Sequence, residues 1–294
     1  MPLSDNLRGA MYMCVSMFAF TFNDSLMKSV TQHLPLFQAI AMRGTLAVGG
    51  LLMIARVTGA GGFWPERPGD RRRIVLRSLA DVAATILFLG ALMRMPLANL
   101  TAVMQATPLA VMLGAALVFG EAIGWRRAVA AGAGFVGVML IVRPGGDGFG
   151  QWSAMALGSV ACVVLRDLAT RGVGRTVGAV TVALWTGGMV TAMGYAGSAV
   201  QGWIWPDMFS MVKVVAAASS LIFGYMFSVM TMRVGDVGFV APFRYTALIW
   251  AVLLGWLAFG SLPDRWTMAG AAVVVASGLY SFWRERGPAR RRPA

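Results

Sequence analysis

Runs of about twenty predominantly apolar residues recur along the whole chain, at 9–30, 36–57, 74–93, 98–119, 125–143, 150–170, 177–200, 209–232, 237–259 and 266–283. A helix needs about 20 such residues to cross the hydrocarbon layer of a bilayer. The runs are continuous. "GAMYMCVSMFAF" and "GAAVVVASGLYSFW" show no alternation of apolar and polar positions, which excludes the strand pattern of a membrane barrel. Backbone groups in lipid must find their partners within the protein, so each run predicts a helix. The expected fold class is an all-α membrane protein with ten transmembrane helices. The links between runs are short; the longest, 58–73, carries "PERPGDRRR" and is aqueous.

Composition agrees: 58% of residues are hydrophobic and 13% charged, against about 25% charged in soluble domains. The net charge of +13 is read as topogenic rather than as a nucleic-acid footprint. Eighteen Lys and Arg flank one set of span ends, five flank the other, and the remaining two, Arg43 and Arg244, lie inside spans. This asymmetry places both termini on the cytoplasmic side. Cys14 and Cys162 fall in apolar runs and His33 stands alone, so no disulfide framework or metal site is indicated. The sequence carries no nucleophile motif or phosphate-binding glycine loop; an enzyme is not expected and no cofactor is implied.

The chain also repeats. "NDSLMK" at 23–28 matches "RDLATR" at 166–171, and "MRMPLANLTA" at 93–102 matches "MRVGDVGFVA" at 232–241. "FGEAIGW" and "FGSLPDRW" match after the fourth and ninth runs. Each half, 1–145 and 146–294, holds five runs. Five is odd, so the second half is expected upside-down relative to the first, a recurrent plan of secondary transporters with a site between the halves. Three stretches resemble the drug/metabolite transporter superfamily and, within it, the EamA family: "FAFTFNDSLMKSVTQHLPLFQAIAMRG", "ANLTAVMQATPLAVMLGAALVFGE" and "VAPFRYTALIWAVLLGWLAFG". The resemblance extends over essentially the whole chain. It implies two inverted five-helix repeats, small-metabolite cargo and, as a well-represented activity, amino-acid export. The family often closes its fourth and ninth spans with Gly-Glu; here Gly120-Glu121 keeps the pair and Gly260-Ser261 does not.

Polar residues inside spans are expensive and mark candidate chemistry. Arg244 tops a helical stripe of small residues, Ala241, Ala247, Ala251 and Gly255, beside the kinking Pro242. It reads as an anchor for a cargo anion through its guanidinium fork, or as a structural arginine snorkelling to the interface. Gln105, with Thr107 and Pro108, holds the matching place in the fourth span, either in a shared cavity or as helix–helix glue. Arg43, Tyr245 and Trp185, the last beside Thr186, Gly187 and Gly188, complete the expected substrate-binding set. Asp24 and Asp81 are the acids within spans. Each has a base four residues away, Lys28 and Arg77, which suits a local ion pair over proton carriage. Pro96, Pro108, Gly235, Gly238 and Pro242 are the expected hinges.

The expected function is a secondary transporter that exports amino acids, aromatic or large neutral ones first, and related metabolites by alternating access. The alternatives are a carrier of another charged metabolite, such as a nucleoside-like or sulfonium compound, and a membrane assembly factor. The expected partners are a small-molecule substrate and the lipid bilayer, with no nucleic acid, and a monomer is the expected unit. The topology is checked with reporter fusions at Ala294 and within 58–73: both should read cytoplasmic, and an external signal at either position contradicts the orientation.

Overall fold

The computed structural model describes residues 5–59, 67–120, 124–143, 150–174, 177–234 and 237–285. Among them all regular structure is helical: α1 (Asp5–Val30), α2 (Leu36–Thr58), α3 (Pro68–Arg94), α4 (Leu97–Met104), α5 (Thr107–Phe119), α6 (Trp125–Val142), α7 (Gln151–Arg171), α8 (Ala179–Gln201), α9 (Met208–Val234), α10 (Val237–Val240), a 3₁₀ turn (Ala241–Tyr245), α11 (Thr246–Phe259) and α12 (Arg265–Glu285). Among the described residues, seven segments are long and apolar enough to cross a membrane: Leu36–Val57, Pro68–Arg94, Leu97–Phe119, Trp125–Val142, Gln151–Arg171, Met208–Thr231 and Ala241–Phe259. Large apolar side chains face outward on them, as Leu117, Val129, Ile249 and Leu257 do, which suits a hydrocarbon surrounding and not water.

Two of the expected spans are not single helices. The run 98–119 is interrupted at Gln105–Ala106, between α4 and α5. Pro108 has no N–H for the carbonyl of Met104, and its ring crowds that carbonyl. The chain tightens there, with the Ala106 N–H bonded to the Val103 carbonyl three residues back. The run 237–259 is interrupted likewise. The short α10 gives way to the 3₁₀ turn containing Pro242, and α11 starts only at Thr246. Gly238 lies within α10, and Pro96 caps the start of α4; Gly235 and Glu121 lie outside the described residues. α5 and α11 both stop at a left-handed glycine, Gly120 (φ 67°) and Gly260 (φ 61°), a conformation that a β-carbon disfavours. Ser261, where the resemblance leads one to expect Glu, bonds the Gly255 carbonyl through both its N–H and its hydroxyl and so finishes the end of α11.

The helices pack mainly across the two halves of the chain. α1 lies along α9, α3 along α7, α2 along α8 and α6 along α12. Lesser contacts join α1 to α11, α5 to α7, α3 to α8, α2 to α9 and α4 to α11. α4 is central, with Leu97, Ala98, Leu100, Ala102 and Val103 buried. Between like-hydrophobic surroundings, small residues let helix backbones approach. Gly137 of α6 and Gly270 of α12 do so face to face, since a β-carbon on Gly137 would stand 2.7 Å from the Gly270 carbonyl oxygen. Gly194 of α8 meets the Ala41 backbone of α2 in the same way, its added β-carbon falling 2.7 Å from the Ala41 nitrogen.

Gly132, on the same helix as Gly137, has open space around it. Gly137→Val should therefore overpack the α6–α12 contact and cost about 1–3 kcal/mol, visible as a lower melting temperature in detergent. Gly132→Ala should leave stability unchanged or raise it by about 0.5–1 kcal/mol. Equal melting temperatures for wild type and Gly137→Val would contradict the close approach.

Candidate functional site

A cavity of about 520 Å³, with charged side chains on its wall, opens at the centre of the helix assembly, and both interruptions border it. Residues of α1, α2, α3, α4, α7, α8, α9 and the 3₁₀ turn with α11 line it. None comes from α5, α6 or α12. Its wall carries four arginines, Arg43, Arg77, Arg166 and Arg244, and two aspartates, Asp24 and Asp81. Apolar and aromatic surface completes it, including Phe20, Phe88, Met104 and Tyr225. Phe20 and Tyr225 meet edge to face, with centroids 5.3 Å apart.

Arg244 projects from the 3₁₀ turn, accessible from the cavity, and no carboxylate among the described residues lies within ion-pair distance of it. The stripe beneath it faces protein: Ala241, Ala251 and Gly255 are buried and Ala247 lines the cavity, while Ile249, Leu253 and Trp256 are exposed. Gln105 is buried at the other interruption. Its Nε2 donates to the backbone carbonyl of Arg244 at 3.5 Å, a long contact that nonetheless joins the two breaks. The Arg244 carbonyl also accepts the backbone N–H of Thr246, so Gln105 adds a second contact from the facing break.

Arg43 is buried in α2, with 9% of its surface accessible. Its Nη1 donates to Asn23 Oδ1 at 3.2 Å, and its Nε has no hydrogen-bond partner. The amide of Asn23 donates in turn to Asp24 at 2.9 Å. Asn23 thus stands between the cation and the acid. The expected Asp24–Lys28 pair is not formed: Lys28 donates to the carbonyls of Leu92 and Met95 at 2.5 Å each, tying α1 to the α3–α4 turn. Those carbonyls sit at a helix end and lack helical donors, which makes them strong competitors for an ammonium.

The Arg77–Asp81 pair is not formed either. Asp81 accepts from Arg166 of α7 at 2.8 Å, and Arg166 also holds Asp167 at 2.9 Å. Arg77 instead donates to the hydroxyls of Thr170 and Thr186. Three of the expected substrate-binding residues do not line the cavity. Tyr245 is buried against Gly278 of α12. Thr107 starts α5 with its hydroxyl buried and unpartnered. Trp185 is not among the wall residues, although its neighbours Thr186 and Gly187 are. Along a helix, adjacent residues point about 100° apart, so a polar neighbourhood does not carry Trp185 into it.

Sequence reasoning missed Asn23, Arg77 and Arg166 as cavity residues. A signal existed. Asn23 and Arg166, Asp24 and Asp167, and Arg43 and Thr186 are each 143 residues apart. The residues preceding the two aligned aspartates carry the contacts.

Comparisons with known proteins agree with this architecture. A model of the EamA-like transporter family matches residues 7–143. A riboflavin transporter of Rhizobium johnstonii is 27% identical over 74% of this chain and 72% of its own length. An S-adenosylmethionine uptake transporter of Rickettsia prowazekii is 24% identical over 97% of this chain and 95% of its own. One solved crystal structure, 18% identical, superposes on 95% of this chain and 99% of its own with a TM-score of 0.67, a likeness of fold. The first half of the chain thus matches the EamA-like transporter family, and relatives aligned over nearly the whole chain are named as transporters.

Proposed function

We propose that the protein is a secondary transporter of small organic metabolites bearing a carboxylate, amino acids first among them, with the central cavity as its cargo site. The observation that carries this reading is the cavity itself: it lies where two helices are broken, and it presents Arg244 without a carboxylate partner. Arg244 is exposed to the cavity, so a cargo anion entering it can reach the guanidinium. A bidentate carboxylate is the natural complement of a guanidinium. Phe20, Phe88, Tyr225 and Met104 supply aromatic and polarisable surface for a large neutral or aromatic side chain.

Alternating access follows if residues 1–145 and 146–294 are inverted five-helix repeats that rock around the cavity. The packing supports that arrangement. Exchanging the halves turns the α1–α9 contact into α7–α3, α3–α8 into α9–α2 and α1–α11 into α7–α5, and all of these pairs occur. It turns α2–α8 and α6–α12 into themselves. The membrane is of bacterial inner-membrane type, with both termini on the cytoplasmic side. A second reading takes a nucleoside-like or sulfonium cargo moving inward; the similarity to S-adenosylmethionine uptake transporters favours it.

The test is flux into and out of liposomes holding the purified protein, with phenylalanine, S-adenosylmethionine and riboflavin as cargo. Exchange of phenylalanine supports the first reading, and exchange of S-adenosylmethionine alone supports the second. Flux of none of the three, with protein shown to be folded, contradicts both. Arg244→Gln should reduce flux by about tenfold or more, because a hydrogen bond to a charged group contributes roughly 1.5–3 kcal/mol. Arg244→Lys should retain part of it. Unchanged flux in a folded Arg244→Gln protein would make the arginine structural.

A further inference from the structure

We infer that the cavity selects cargo with a net negative charge, a carboxylate or phosphate uncompensated by an ammonium, and that Arg43 sets this preference. The inference narrows the transport reading above, placing carboxylates without an ammonium ahead of amino acids, and rests on it for the word cargo; the binding preference stands on the charges of the wall.

Four arginines face two aspartates there. Asp81 is taken by Arg166, which also holds Asp167 just off the wall. Arg77 is satisfied by hydroxyls, which carry no charge. Arg244 has no acid within reach. Asp24 is separated from Arg43 by the amide of Asn23. The surplus is two positive charges, or one when Asp167 is counted. A cation entering this space adds to the surplus, a zwitterion leaves it unchanged, and an anion reduces it.

Arg43 is better placed than Arg244 to decide among them. Arg244 is accessible and its charge is screened by whatever water fills the cavity. Arg43 is nine-tenths buried, and Coulomb interactions there act through a lower dielectric. It is also held in place. The arginine can only donate and the carboxylate can only accept, so Asn23 must turn its oxygen to Arg43 and its nitrogen to Asp24. Asn23 is itself buried, with 3% of its surface accessible. This fixes one end of the guanidinium; Nε is fully buried without a hydrogen-bond partner, and the part of Arg43 that reaches the wall is what a cargo meets. A cargo oxygen there supplies an acceptor and a negative charge together.

The test uses the full-length protein in lipid nanodiscs and three probes that share a phenyl ring and differ in charge: phenylpyruvate, phenylalanine and phenethylamine. Binding is read by intrinsic tryptophan fluorescence and by thermal stabilisation. Phenylpyruvate should bind on the order of tenfold more tightly than phenylalanine, and phenethylamine weakest of the three. Phenyl phosphate, compared with phenylpyruvate, tells which anionic head group is preferred. Arg43→Gln should bring phenylpyruvate down to the level of phenylalanine, and Arg43→Lys should keep the order. A flat or reversed order in the wild-type protein, binding of none of the probes, or an unchanged order in folded Arg43→Gln overturns the inference. The wild-type series needs no variant, so a misfolded substitution does not shield it. An anion preference without any flux would refute transport and leave the anion site standing. Flux with a flat order would do the reverse.

Discussion

Backbone hydrogen bonds inside an apolar span have to close within the protein, because lipid offers no substitute. This chain interrupts that closure at Gln105–Ala106 and at Ala241–Tyr245, and both interruptions border the same cavity. A break facing lipid would leave bare carbonyls in hydrocarbon. A break facing another break can be bridged by side chains, as Gln105 reaches the carbonyl of Arg244 at 3.5 Å. The cavity, the placement of α4 at the centre of the fold and the position of Arg244 all depend on the two interruptions lying opposite one another. Proline supplies the interruption in each case, by withholding an N–H and crowding the preceding turn.

Charge is handled with the same economy of partners. The arginines on the wall are held by groups of graded strength: a carboxylate for Arg166, hydroxyls for Arg77, an amide for Arg43, and no side-chain acid for Arg244. A fully paired set would close the cavity electrostatically, since buried ion pairs with good geometry leave little for a ligand to gain. A wholly unpaired set would destabilise the fold. The intermediate arrangement keeps the helices together while leaving donors for a solute. Lys28 shows the contrast. Two carbonyls and the face of Phe259 occupy its ammonium, and it serves as a structural tie between α1 and the α3–α4 turn.

Much of this was legible in the sequence, for identifiable reasons. The apolar runs delimit the helices because lipid imposes a length on them, and Arg244 and Gln105 announced themselves as polar side chains next to prolines. The expected ion pairs failed because spacing along one helix is only local information. Lys28 and Arg77 stand four residues from an acid, yet each found partners on another element, as helix–helix packing determines. Asn23 and Arg166 were invisible for a related reason. Asparagine is ordinary in a helix near a span end, and Arg166 was counted among flanking charges; only the facing helix makes either one part of a cavity. Tyr245, Thr107 and Trp185 erred in the other direction. They sit next to cavity residues in sequence, but a helix turns each neighbour about 100°, and none of the three lines the wall.

The pairs that map onto themselves when the halves are exchanged, α2–α8 and α6–α12, differ in what they contribute. α2 and α8 both supply cavity wall, through Arg43, Gly44, Thr186 and Gly187 among others. α6 and α12 supply none, and their backbones touch at Gly137 and Gly270. A contact of backbone on backbone tolerates little sliding, because interiors packed at that density have no slack to absorb it. The seams α1–α9 and α3–α7 are instead held by side chains, including the Ser16 hydroxyl on the Gly224 carbonyl and Arg166 on Asp81, which can release and re-form. On the inverted-repeat reading, α6–α12 and the Gly194–Ala41 approach of α2–α8 are then the contacts that slide least as the halves turn. The α3–α7 seam, crossed by a charge pair at the cavity wall, is one that a bound solute can loosen, because a cargo anion competes with Asp81 for the same guanidinium. If the proposed transport cycle holds, binding and opening are linked through Arg166, without a separate signal between site and gate.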